Sequence, residues 1–194
     1  MPENICLSGG ADGSDLQWGM TAGMIGHSVI HWSFAGHNSS APEHELIELN
    51  DEQLIAAEQP VDRARKAMGR GKSKSRYVNN LLRRNWYQVQ HAERVYAVVE
   101  ELEPQSTAGG TGYAVTMFLQ RHAFLPCECY VFDQSDGEWY AWKGKWEKIQ
   151  SPPKPYGVWA GIGTRELTVI GKKALRELMG YDPERNNPFR SDAE

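Results

Sequence analysis

A chain of 194 residues with 40% hydrophobic and 24% charged residues suffices for one globular domain with a sizeable core, and excludes a chain disordered throughout. A formal net charge of −4 excludes a general electrostatic drive towards nucleic acid or acidic membranes, and no run approaches the roughly 18 apolar residues of a spanning helix. The cysteines Cys6, Cys127 and Cys129 do not make a zinc pattern, and Met1-Pro2-Glu3-Asn4 lacks the basic and apolar regions of a secretory leader, so both fit a cytoplasmic protein with reduced thiols.

Asn4 to Leu7 reads as a buried strand. It breaks at Ser8-Gly9-Gly10-Ala11-Asp12-Gly13-Ser14-Asp15 into a helix over Asp15 to Ile25, with Ser14 or Asp12 as candidate cap. Gly26-His27 stops that helix, and Ser28 to Phe34 forms a second strand, giving a β-α-β unit with parallel strands. A polar loop with His37, Asn38, Ser39 and Ser40 follows. Asn50-Asp51-Glu52-Gln53 then announces a helix, and residues 61–68 are again helix-compatible. The basic stretch 69–76 is either a mobile lid over an anion or a solvated loop.

Tyr77 to Val89 is predicted helical and carries Arg83, Arg84 and Asn85. Glu93 to Val99 is a strand, and after the loop 101–108 the cluster Gly109-Gly110-Thr111-Gly112 opens a helix from about Tyr113 to His122. Glu128 to Phe132 is the next strand. Trp139, Tyr140, Trp142 and Trp146 fall in a predicted β-hairpin over Glu138 to Ile149, turning at Lys143-Gly144-Lys145. These aromatics either stack on a base or fill a satellite core at a sheet edge. Pro152-Pro153-Lys154-Pro155 stiffens the lead into a last strand, Tyr156 to Ala160. The turn Gly161-Ile162-Gly163-Thr164-Arg165 and a helix from Leu167 to Met179 complete the domain. The expected organisation is one domain over 1–180, with a hairpin insertion at about 136–150 and a polar tail at 181–194. Its class is α/β: a three-layer, Rossmann-like, mostly parallel sheet.

Three glycine turns, each after an apolar run and before a helix, are the grammar of a phosphate site: helix amino termini offer unpaired amides, and glycine lets the backbone approach oxygens. None matches the Walker pattern or G-x-G-x-x-G in its strand context, so kinase, GTPase and nicotinamide dehydrogenase readings fall and no resident cofactor is expected. His27, His31, His37, His44, His91 and His122 include no ligand-like pair on one helical face, so no metal site is expected.

Ser8-Gly9-Gly10-Ala11-Asp12-Gly13-Ser14-Asp15 resembles the S-G-G-A-x-G-x-D signature of the SLOG superfamily, which includes DprA, the LOG phosphoribohydrolases and nucleotide-sensing domains. Arg84-Asn85 is similar to the R-N of DprA-like members, Gly109–Gly112 to the LOG motif P-G-G-x-G-T, and Gly161–Arg165 to the family's first G-S-R turn. That unit stands last here, so the chain resembles a circularly permuted member, with its last strand expected beside its first and the end of its last helix near Asn4. The resemblance implies that Ser8, Gly9, Gly10, Ala11, Asp12 and Asp15 hold phosphate and ribose, with Arg84 and Asn85. Gly109, Gly110, Thr111 and Gly112, then Gly163, Thr164 and Arg165, complete the ligand set. It also implies a homodimer. The implied function is binding of a nucleotide, ADP-ribose or cyclic-nucleotide signal as a sensor or sequestering protein. The alternative is a LOG-type nucleotide N-glycosidase. The LOG glutamate position falls in Ala114-Val115-Thr116, which leaves Glu166 as the candidate acid. DprA-like nucleic-acid binding would need a basic stripe from Arg63, Arg65, Lys66, Arg70, Lys72, Lys74 and Arg76, and the acidic net charge disfavours it.

Overall fold

The structure, a computed structural model, describes residues 3–103, 106–107, 109–122 and 127–182. The strands are β1 (Ile5–Ser8), β2 (Ser28–Phe34), β3 (Leu46–Leu49), β4 (Arg94–Val99), β5 (Leu102–Glu103), β6 (Ser106–Thr107), β7 (Glu128–Asp133), β8 (Glu138–Trp142), β9 (Trp146–Ile149) and β10 (Val158–Gly163). The helices are α1 (Ser14–Met24), α2 (Asp51–Ala56), α3 (Glu58–Ala67), α4 (Arg76–Val89), α5 (Gly109–Arg121) and α6 (Val169–Met179).

Among the described residues, one eight-stranded sheet has the order β3-β2-β1-β10-β4-β7-β8-β9. Pairing is parallel from β3 to β7 and antiparallel through β8 and β9, while β5 and β6 form a separate small ribbon. Alternate strand residues feed two cores. Val95, Ala97, Val131 and Ile162 pack with α4 and α5, whereas Cys6, Tyr96, Val98 and Trp159 pack with α1 and α6. This is the three-layer α/β architecture that the sequence predicted. Strand β4 is buried at every position, as a central parallel strand covered on both faces must be.

The termini of the helices follow local chemistry. Asn50 and Gln53 form a reciprocal capping box on α2, Ser75 caps α4, and Thr168 caps α6, which ends on Gly180 in the left-handed region. Helix α1 departs from expectation. Neither Ser14 nor Asp12 caps it; the cap position is Gly13, at φ 94°, with no side-chain bond. The Ser14 amide instead donates to the Thr164 carbonyl at 2.9 Å, and Asp12 accepts from the Ser40 hydroxyl at 2.7 Å.

Other boundaries also move. Gly161, Ile162 and Gly163 lie in β10, paired to β4 as far as Gly163 with Val98, so the turn is 164–168 and α6 begins at Val169. Glycine serves close packing here: a Cβ on Gly161 would lie 2.6 Å from Trp18 Cβ, on α1. Gly109 to Gly112 form the first turn of α5 instead of preceding it. Strand β3 and the β5–β6 ribbon within the 101–108 loop were not foreseen.

The hairpin extends the sheet edge. Trp139 packs on Phe132 at 5.2 Å between ring centroids, and Trp142 on Trp146 at 5.0 Å, so its aromatics continue both cores. Strand β10 lies beside β1, with Ile5 opposite Val158. Both Asn4 and Gly180 flank the lead into β10: the Gly157 amide donates to Asn4 Oδ1 at 2.9 Å, and Gly180 lies against Lys154. The polar tail lies outside the described residues from position 183 onward.

Candidate functional site

The chain runs from β1 outward to β2 and from β4 outward to β7, leaving a crevice beyond the carboxyl ends of β1, β10 and β4. Open α/β sheets place ligands at such a switch point. A cavity of about 430 Å³ occupies it, a size typical of small-molecule sites.

Three segments predicted from glycine turns meet here. Ala11, Asp12 and Asp15 come from the β1–α1 turn; Gly109, Gly110 and Thr111 from the start of α5; and Gly163, Thr164, Arg165 and Glu166 from the end of β10. Helix α4 supplies the polar side chains of Arg84, Asn85 and Gln88 and an apolar wall of Val78, Leu81 and Leu82. Val99 and Glu100 close the end of β4.

The polar floor is a buried pair. Arg84 Nη1 donates to Asp15 Oδ2 at 3.0 Å, with the two side chains 3% and 10% exposed. Gln88 Nε2 reaches the same oxygen at 3.1 Å, and the Gly163 amide donates to Oδ1 at 3.1 Å. Asp15 therefore ties α1, α4 and β10 together. Burial pushes its carboxyl above the usual range, and the Arg84 charge and these donors pull it back down. Arg84 Nε is buried without a hydrogen-bond partner, a costly state for a charged donor unless a ligand meets it.

The other predicted ligand residues divide by role. Ser8 does not line the cavity; its hydroxyl lies 2.9 and 2.6 Å from the Asp15 and Gly161 carbonyls and shares its one proton between them, bracing the turn. Gly9 leaves room for Arg84, since a Cβ there would lie 1.4 Å from Nη1. Gly10 packs on the 35–41 loop, with Ser39 Oγ donating to its carbonyl at 2.8 Å, and Gly112 is buried within α5. Neither lines the cavity. The Ser14 amide at the start of α1 is taken by the Thr164 carbonyl, whereas at the start of α5 Gly109 and Gly110 are exposed at the cavity. Asn85 Nδ2 donates to the Gly110 carbonyl at 3.0 Å and Arg70 Nη1 to that of Gly109 at 2.8 Å, fixing this turn from two sides. The basic stretch 69–76 is thus no free patch: Arg70, Lys72 and Arg76 approach Glu103, Glu58 and Asp51.

Arg165 and Glu166 are exposed at the rim, and Arg165 has no ion-pair partner among the described residues. Thr164 Oγ1 accepts from the Glu166 amide at 3.1 Å and donates to Glu100 Oε1 at 2.8 Å, which orients that carboxylate. His37 stacks on Phe34 in the neighbouring loop, and its Nδ1 lies 3.1 Å from Ser33 Oγ. Burial, then the charges of Arg84 and Arg165, lower its pKa to about 4, and His31 is lowered to about 4 by burial and Arg84.

Glu100 and the α4 wall were missed in the sequence, although signals for both existed. Glu100 directly follows the strand Arg94–Val99, at the end where sites form, and Val78, Leu81, Leu82 and Asn85 share one face by helical spacing. None of the hairpin aromatics lines this cavity. No group of three or more metal-ligating side chains occurs among the described residues, and none of their helices is long and apolar enough to cross a membrane. No family model, curated protein or solved structure matches the chain.

Proposed function

We propose that the cavity binds a phosphorylated nucleoside-type ligand, and that the protein acts as a sensor or sequestering module for it. The observation that carries this reading is the buried Arg84, which lines a cavity where three strand-to-helix segments converge and whose guanidinium is not fully hydrogen-bonded, its Nε lacking a partner. A phosphate oxygen takes a charge-assisted bond from the Arg84 guanidinium, the exposed first turn of α5 at Gly109 and Gly110 adds amides and a favourable dipole, and Arg165 closes over it from the rim. The wall of Val78, Leu81 and Leu82 suits an apolar ring, and Asp12 and Glu100 accept hydroxyl donors of a sugar.

Charge limits the ligand. The cavity carries Asp12, Asp15, Glu100 and Glu166 against Arg84 and Arg165, and Asp15 already offsets Arg84. One phosphate or a diester is tolerated there better than a triphosphate. The placement of β10 beside β1 supports kinship with a permuted SLOG-type domain.

Cleavage is the second reading, favoured by the carboxylates of Glu100 and Glu166 in the cavity. Incubation with adenosine 5′-monophosphate, ADP-ribose and cyclic nucleotides, followed by analysis of bound and released species, separates the two. Intact ligand recovered in stoichiometric amount after denaturation is the outcome expected of a binding module. Catalytic release of free base, abolished in Glu166→Gln or Glu100→Gln, would establish the N-glycosidase. Uptake of none of these compounds would overturn both readings.

A further inference from the structure

Asp15 sits where a ribose-binding carboxylate would be expected, yet its oxygens are already committed. Arg84 Nη1 and Gln88 Nε2 donate to one oxygen and the Gly163 amide to the other. All three partners are donors, so only an acceptor-only carboxylate satisfies them together; an amide would set its own NH2 against a donor. The backbone of the same residue is held as well, with the Ser8 hydroxyl donating to its carbonyl at 2.9 Å. Across the pair, Arg84 passes over Gly9, and the Asp15 carboxylate holds Nη1 of a guanidinium that lines the cavity and still has an unpartnered Nε.

We infer that Asp15 is a positioning residue: it makes no ligand contact, and sets the Arg84 guanidinium so that the remaining donors meet the anionic group of the ligand. This rests on the nucleotide reading above. A ligand-contacting Asp15 and a positioning Asp15 differ in how its loss combines with the loss of Arg84. Removing a direct contact multiplies with the loss of Arg84. Removing a support costs nothing once Arg84 is gone.

The test is a double-mutant cycle of Asp15→Asn and Arg84→Gln, with adenosine 5′-monophosphate and inorganic phosphate as probes in titration calorimetry, each variant checked by thermal unfolding. Asp15→Asn is expected to weaken binding about tenfold or more in the wild-type background, the scale of a hydrogen bond to a charged group, and to change it less than about twofold in Arg84→Gln. Losses that multiply across the two sites would overturn the inference while leaving the nucleotide reading intact. A wild-type protein that takes up neither probe would overturn both. If Asp15→Asn does not fold, Asp15→Glu replaces it; this keeps the charge and acceptors and displaces them by one methylene, and the same non-additive pattern is required.

Discussion

Gly9 decides where Arg84 can lie. Any side chain at this position would begin 1.4 Å from Arg84 Nη1 and 2.3 Å from Asp15 Oδ2, so Gly9→Ala must drive the guanidinium off its carboxylate. The pair is almost wholly buried, and separating such a pair strands two charges in a low-dielectric site at a cost of about 3 kcal/mol. Gly9→Ala is therefore expected to lower denaturant stability by that order, and to weaken adenosine 5′-monophosphate binding with it. An unaltered unfolding midpoint would show that the guanidinium has another place to go. The motif around Gly9 was legible as a strand-to-helix turn, but the reason for its glycines was not. Glycines in such a turn suggest phosphate approach, whereas Gly9 makes room for an arginine 75 positions away in the chain, a partner that no local pattern reveals.

The same distinction holds for whole elements. Strands β1, β2, β4 and β7, helices α2 and α4, and the aromatic hairpin could be read from apolar runs, capping residues and turn residues, because those signals are local. Strand β3 was missed since Leu46–Leu49 is four residues long and lies between the acidic turn at Glu43–Glu45 and the α2 cap. Strand β10 was cut short because Gly161 and Gly163 look like turn residues, although they are glycine for packing. Gly161 admits Trp18, whose indole N–H donates to the Ile162 carbonyl at 3.1 Å. Gly161→Ala would press a methyl to 2.6 Å from Trp18 Cβ and lever α1 from the sheet. Overpacking of this kind costs about 1–3 kcal/mol. Because the Ser14 amide is bonded to the Thr164 carbonyl, the shift also distorts the cavity wall. Urea unfolding and ligand titration of Gly161→Ala should show both effects, and a loss of stability with unchanged affinity would mean that the wall is decoupled from α1.

At the scale of the whole molecule, the site leaves a signature in the pH dependence of stability. His31 is completely buried, with neither ring nitrogen hydrogen-bonded, and its 3.5 Å approach to Glu45 is a contact of a neutral ring. Both His31 and His37 have their pKa lowered to about 4, by burial first and then by the arginine charges at the cavity. A histidine depressed in the folded state adds stability that is fully present above its unfolded pKa of about 6.5, and that is lost as pH falls towards its folded value. For His31 alone the full span amounts to about 3 kcal/mol. Asp15 and Glu45 act in the opposite sense, since burial raises both. The two histidines titrate at about pH 6.5 in the unfolded chain and at about 4 in the folded one, so their contribution falls away as pH drops below about 6.5. Urea unfolding between pH 7 and pH 5 should show stability falling with acidity, with about one proton each taken up on unfolding by His31 and His37 and a further part by His27, whose pKa burial also lowers, and His31→Gln should remove about one of them. An anion seated against Arg84 and Arg165 offsets part of the charge that holds His37 neutral. Saturating adenosine 5′-monophosphate should therefore raise the His37 titration midpoint in an NMR titration. Stability that stays flat across this interval would contradict the burial of two neutral histidines beside the arginine floor, and a His37 midpoint indifferent to ligand would place the anion elsewhere.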